Sequence, residues 1–158
     1  DLLRYVQDYD LWRFDLPHSR EVSVALSSHP MDFTLWDRLH PEELTKDGRA
    51  LLRQQKQLVQ FMCDQAELTP FAGHMVPLVN ATVHSSEVGE ELLKRFPHAP
   101  FSVSYYDRGN KIRHWSLRSR PDFDVSVIAK RYGGGGHPQS AGFETPLREA
   151  GLSQSTDD

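Results

Sequence analysis

The chain has 158 residues, 38% of them hydrophobic and 25% charged, which excludes a fibrous or disordered polymer and fits one ordinary domain, or one domain with a piece of another. A formal net charge of −4 argues against wrapping duplex nucleic acid on a basic surface but leaves room for a local anion site. With Cys63 as the only cysteine there is no internal disulfide and no paired-cysteine zinc knuckle, and no apolar run reaches bilayer length, so a reducing, cytoplasmic setting without membrane contact is expected.

Residues 1–16, DLLRYVQDYDLWRFDL, bring aspartates into an aromatic-rich stretch with no preceding turn or cap, which reads as the later part of a longer chain. SREVSVALSS and DFTLWDRLH read as two short helices, with Asp32 as a plausible N-cap after His29-Pro30. The clearest helix starts at Pro41, where a first-turn proline is tolerated, and carries Glu42 and Glu43 in its first turn. Its apolar residues recur at helical spacing to about Ala66, before Thr69-Pro70, and its length suits a strut between domains.

Beyond it the pattern becomes mixed α/β. HMVPLVNA predicts a buried strand, SSEVGEELLKRF a helix capped by Ser85 or Ser86, and FSVSYYD a strand that turns at Arg108-Gly109-Asn110 into KIRHWSLRS. DVSVIAKRY suits a short helix with Asp124 as N-cap, SAGFETPL a last strand, and the polar end a frayed tail over 151–158. Tyr105, Tyr106 and Trp115 fall on paired strands, where they can pack across the sheet or stack on a base. Asn80 follows an apolar strand with no spacing argument for a role.

Between the last helix and strand lies RYGGGGHPQSAGF, residues 131–143. Four consecutive glycines cost backbone entropy, and the run lacks the serines of a linker. It ends without Gly-Lys-Ser/Thr and misses the G-x-G-x-x-G spacing, so neither common phosphate loop applies. Two readings stay open: a structural turn, or an anion nest of exposed amides with His137 at its rim.

The same stretch, with WSLRS at 115–119 and DVSVIAKRY at 124–132, resembles the C-terminal DHH-associated domain of the DHH phosphoesterase superfamily, whose hallmark is GGGH followed by small residues and Gly-Phe. That superfamily includes RecJ-type exonucleases, nano-RNA and cyclic-dinucleotide phosphodiesterases, exopolyphosphatases and pyrophosphatases. The resemblance covers roughly residues 71–147. It implies a mixed β-sheet domain flanked by helices over 69–150, a connecting helix over 41–68, and in 1–40 the end of an upstream α/β catalytic domain. It also implies that Gly134, Gly135, Gly136 and His137, with Arg118 and Ser119 of the preceding strand, hold a substrate's phosphate. The family more often shows alanine where Ser140 stands.

DLLRYVQDYDLW resembles the last metal-binding segment of the DHH domain, in which a strand delivers an aspartate to a two-manganese centre, magnesium being a second candidate. Asp8 is the implied ligand, and Asp10 the alternative on the same strand face. The chain contains no Asp-His-His. It is therefore expected to bind substrate without hydrolysing it, as the C-terminal part of a phosphoesterase acting on short single-stranded oligonucleotides, cyclic dinucleotides or polyphosphate. Whether the parent is a homodimer is left open by the sequence.

Overall fold

The structure, a computed structural model, describes residues 2–147, so the expected tail at 151–158 lies outside the described residues. The chain divides into two compact units, Asp1–Leu58 and Val59–Asp158.

In the first unit, α1 (Leu2–Asp10), α2 (Ser19–Leu26), α3 (Phe33–Trp36) and the start of α4 (Pro41–Cys63) surround Leu2, Val22, Ala25, Leu26 and Leu44. The N-terminal segment is thus a helix and not the expected strand. Leu2, Tyr5 and Val6 recur at i, i+3 and i+4, and all three pack in this core, which a two-residue alternation would not allow. Asp32 caps α3 as expected, its carboxylate accepting from the Thr34 amide at 2.8 Å.

The helix also separates the two candidate aspartates, since positions i and i+2 lie roughly 200° apart around it. Asp8 is buried and accepts hydrogen bonds from the Asp15 amide at 3.0 Å and the Leu16 amide at 3.3 Å. It thereby closes a loop in which Trp12 and Phe14 take left-handed backbone conformations. Its carboxyl lies below the ordinary 3.8: the nearby Ser19 hydroxyl contributes most, although its oxygen is outside strict hydrogen-bond geometry, and the two amides outweigh the opposing effect of burial with it. A depressed folded-state pKa contributes stability above the unfolded value that is lost as pH falls through the folded one. Thermal melts of Asp8→Asn should show a less stable protein than the wild type at neutral pH, with the difference closing as pH drops below 3.8. A gap that persists in acid would mean the charge is not what holds this loop.

The second unit is a six-stranded sheet of order β1-β2-β3-β4-β6-β5, formed by β1 (Glu67–Phe71), β2 (His74–Asn80), β3 (Phe101–Arg108), β4 (Ile112–Ser119), β5 (Gly135–His137) and β6 (Ser140–Pro146). β2 and β3 are parallel and joined by α5 (Ser85–Arg95); the other neighbours are antiparallel. The sequence reading missed β1 and β5. Pro70 argues against a central strand but is tolerated at an edge, which is where β1 sits.

Each face of the sheet has its own core. On one, Phe101, Val103, Leu117, Ala141 and Phe143 pack against Val125, Ile128 and Ala129 around α6 (Ser126–Arg131). On the other, Val79 packs with Val88 and Leu92 of α5 and with Val59 and Cys63 at the end of α4. Burial raises the Cys63 thiol to about 11, which keeps it un-ionised and removes it from consideration as a nucleophile. Asp124, the expected cap, stands one residue before the observed one: Val125 is the N-cap of α6, while the Asp124 carboxylate accepts from the Ser126 amide and hydroxyl.

A candidate anion site on the polar face of the sheet

Side chains alternate across a strand, so the register decides which residues can meet. Ser102, Arg118, Ser140 and His137 stand in one row across β3, β4, β6 and β5. Ser104, Ser116, Gly142 and Gly135 form the next row on the same face. The alternate positions carry the apolar core of the opposite face, so the small and polar residues are segregated by strand periodicity alone.

Arg118 is the focus of the first row. Its guanidinium donates to the hydroxyls of Ser140 and of Ser86 in the first turn of α5. Its aliphatic stem lies against Gly89, where an added Cβ would come within 2.4 Å of the arginine Cγ and 2.8 Å of its Cβ. Ser102 fixes the same contact by donating to the Gly89 carbonyl at 3.0 Å. A guanidinium held at both ends by hydroxyls is preset for bidentate contact with phosphate, and the hydroxyls can rotate to donate to the same anion. Ser86 stands in the first turn of α5, where the amides of a helix N-terminus favour a nearby negative charge.

The glycine run divides into two parts. Gly133 takes φ 78 at the end of α6, and the amides of Gly133 and Gly134 donate to the carbonyls of Lys130 and Ala129. This is a Schellman closure, so the Gly134 amide, expected in an anion nest, is committed to the helix. Gly134 is also sterically demanded, since a Cβ would fall 2.1 Å from the Gly142 carbonyl oxygen and 2.5 Å from the Phe143 Cβ. Gly136, at φ 139, has a comparable conflict with the Ser140 carbonyl oxygen at 2.5 Å. Gly135 differs from both: its φ is not positive, and an added Cβ would meet nothing within 4 Å. It faces open space on the row beside Arg118 and Ser140. His137 is exposed at the tip of β5, in register with Ser140.

Ser119 is parted from Arg118 by the alternation of β4. Its hydroxyl donates to the carbonyls of Phe123 at 2.6 Å and Pro138 at 3.1 Å, and its amide to Gln139 at 3.1 Å. It braces the turn that carries His137 instead of facing a ligand with Arg118. Ser86, Ser140, Gly89 and Gly142 are the residues that sequence reasoning left out. A serine before a helix looks like a cap, and nothing in the spacing of Ser86 ties it to a position 32 residues later.

Tyr105 and Trp115 pack across the strands at 5.5 Å between ring centroids, as the packing reading expects. Tyr106 lies on the polar face against His114 at 5.2 Å. Among the described residues no three histidine, cysteine, aspartate or glutamate side chains converge as a metal-holding group. Asp8, with its oxygens already accepting two amides, belongs to no such group, so the described residues alone do not fit a pair of divalent ions. No helix among them is long and apolar enough to cross a membrane.

A family model described as the DHHA1 domain matches residues 73–153, about half of the chain and all of the site around Arg118. The chain belongs to the DHHA1 domain family. Two curated relatives extend the likeness beyond the DHHA1 domain. Oligoribonuclease NrnB of Bacillus subtilis (strain 168) is 36% identical over 159 residues, covering 87% of this chain and 37% of the relative. An uncharacterized protein, R106, of Acanthamoeba polyphaga mimivirus is 29% identical over 151 residues, covering 89% of this chain and 36% of its own length. The chain thus spans little more than a third of the curated relatives it matches. Among solved structures, the pGpG-specific phosphodiesterase PggH of Vibrio cholerae shares the fold with TM-score 0.54 and 10% identity, over 92% of this chain and 62% of that one.

Proposed function

We propose that the chain is the substrate-binding C-terminal part of a manganese-dependent DHH-family phosphoesterase that hydrolyses short oligonucleotides, and that alone it binds a nucleotide's phosphate without cleaving it. The observation that carries this reading is Arg118, whose fork is held by Ser86 and Ser140 on a sheet face left open at Gly135. The likeness to an oligoribonuclease over most of this chain supports oligonucleotide as the substrate class. The acidic overall balance favours a short ligand held at one end over a long duplex.

In this reading Arg118, the two serines, His137 and the edge strand grip the anionic end of the substrate, and catalytic metal ions are held by groups of the upstream domain, Asp8 adding one carboxylate. Because the residues in hand do not make a metal site, no chemical step is derived for them. The test uses a short 5′-labelled RNA with saturating manganese. The full-length parent should release mononucleotides, whereas this chain should bind the RNA and leave it intact. Binding without cleavage by the full-length parent would instead make the protein a nucleotide-binding module, and an Arg118→Ala chain that binds as well as the wild type would remove the site altogether.

A further inference from the structure

We propose that His114, set in place by Glu144, accepts a hydrogen bond from the ribose 2′-hydroxyl of the nucleotide whose phosphate rests on Arg118, and so selects RNA over DNA; the proposal rests on the reading of Arg118 as the phosphate end of the site. Tyr106, His114 and Glu144 form the third row of the polar face, next to the row of Ser104, Ser116, Gly142 and Gly135. Strand parity puts all three on the same side of the sheet as the guanidinium. Arg118, Ser116 and His114 alternate along β4, as do Ser140, Gly142 and Glu144 along β6.

The two ring nitrogens of His114 have different surroundings. Nδ1 lies 3.5 Å from a Glu144 carboxylate oxygen that is itself fixed by Arg108 at 2.8 Å, and Tyr106 packs on the ring at 5.2 Å between centroids. Nε2 leans toward the middle row, since a Cβ added at Gly142 would stand 3.8 Å from it. That Cβ would also fall 2.7 Å from the Trp115 carbonyl oxygen, so the strands demand a glycine here, and no β6 side chain separates Nε2 from the row of Arg118 and Ser140. The floor between them is made of serines and glycines.

Chemistry and distance then choose the partner. A carboxylate only accepts, so in the neutral imidazole the proton belongs on Nδ1 and Nε2 presents a lone pair. With a carboxylate on its far side, that lone pair disfavours a second phosphate and favours an O–H donor. Neighbouring rows on one face lie about 7 Å apart, and Nε2 reaches over the middle row, so its partner stands about one row from the anion on Arg118. That is the reach from a nucleotide's phosphate to the hydroxyls of its own sugar. Within an oligonucleotide the 3′-oxygen is esterified to the next unit, which leaves the 2′-hydroxyl, the group by which a protein tells RNA from DNA.

Isothermal titration at about pH 8, where an ordinary imidazole is neutral, uses three probes: the 5′-phosphorylated diadenylate pApA, its 2′-deoxy counterpart and inorganic phosphate. The wild-type chain should bind the ribonucleotide about tenfold more tightly than the deoxy form, the effect of one well-placed hydrogen bond. His114→Ala should bring both dinucleotides to the deoxy affinity and leave inorganic phosphate unchanged. His114→Phe, which keeps a ring against Tyr106 but offers no acceptor, should do the same, and it decides the matter if the alanine variant does not fold. Arg118→Ala should weaken all three probes and preserve the ribo-to-deoxy ratio. The proposal is overturned if the wild type binds both dinucleotides alike, or if His114→Phe keeps the wild-type preference. Phosphate binding that ignores Arg118→Ala would count against the phosphate reading, and the ratio in His114→Phe would still decide whether the imidazole reads the hydroxyl.

Discussion

Replacing Arg118 with alanine is expected to weaken binding of a nucleotide's phosphate by about 10- to 100-fold, with the fold retained. Charge-assisted hydrogen bonds contribute about 1.5–3 kcal/mol each, and about 1.4 kcal/mol is a factor of ten in affinity. Loss of the aliphatic stem packed on Gly89 costs stability as well, on the order of 1 kcal/mol. Arg118→Lys should restore little of the affinity, because a point charge cannot bridge Ser86 and Ser140 as the planar fork does. Gly89→Ala tests positioning separately from charge. The new methyl would occupy the space of the arginine Cβ and Cγ, atoms too close to the backbone to swing away, so affinity should fall although the guanidinium remains. Isothermal titration with a mononucleotide at constant salt reads all three variants. An unchanged affinity in Gly89→Ala would show that the fork's placement is not what matters.

The second large effect separates two neighbouring glycines. Gly134→Ala should destabilise the second unit by about 2 kcal/mol, through overpacking against Gly142 and Phe143, and lower Tm by about 10 °C. Gly135→Ala should leave stability within about 0.5 kcal/mol, because its Cβ meets nothing and its φ is one that alanine adopts. Its methyl would nonetheless stand on the open row beside Arg118, where a ligand has to approach the backbone, and should lower phosphate affinity at least tenfold. Thermal melts and titrations on the same two proteins therefore give opposite rankings. Equal behaviour of the two in both assays would mean that the run is a structural turn throughout.

Much of this architecture is legible in the sequence, for local reasons. Alternation in FSVSYYD and KIRHWSLRS gives β3 and β4, and the proline with two acids gives the start of α4. The polar face is legible too, once parity is followed: Ser102 and Ser104, Ser116 and Arg118, Ser140 and Gly142 all alternate with apolar partners. What escapes is whatever depends on distant contacts. The edge position that lets Pro70 sit in β1, and the pairing that makes Gly135–His137 a strand, are decided by neighbours remote in sequence. Likeness to a metal-binding strand misled at α1, where the spacing of Leu2, Tyr5 and Val6 carried the better signal. Four glycines that read as either a turn or an anion nest divide three ways: helix closure at 133 and 134, open space at 135, and a close strand approach at 136.

A crystal structure of the chain with a bound 5′-mononucleotide tests the central claim most directly. Phosphate oxygens should lie about 2.7–3.2 Å from the Arg118 nitrogens, over Gly135 and within reach of the Ser86 and Ser140 hydroxyls. A nucleotide bound elsewhere, with Arg118 still joined to Ser86 and Ser140 and Gly135 still facing solvent, would contradict it.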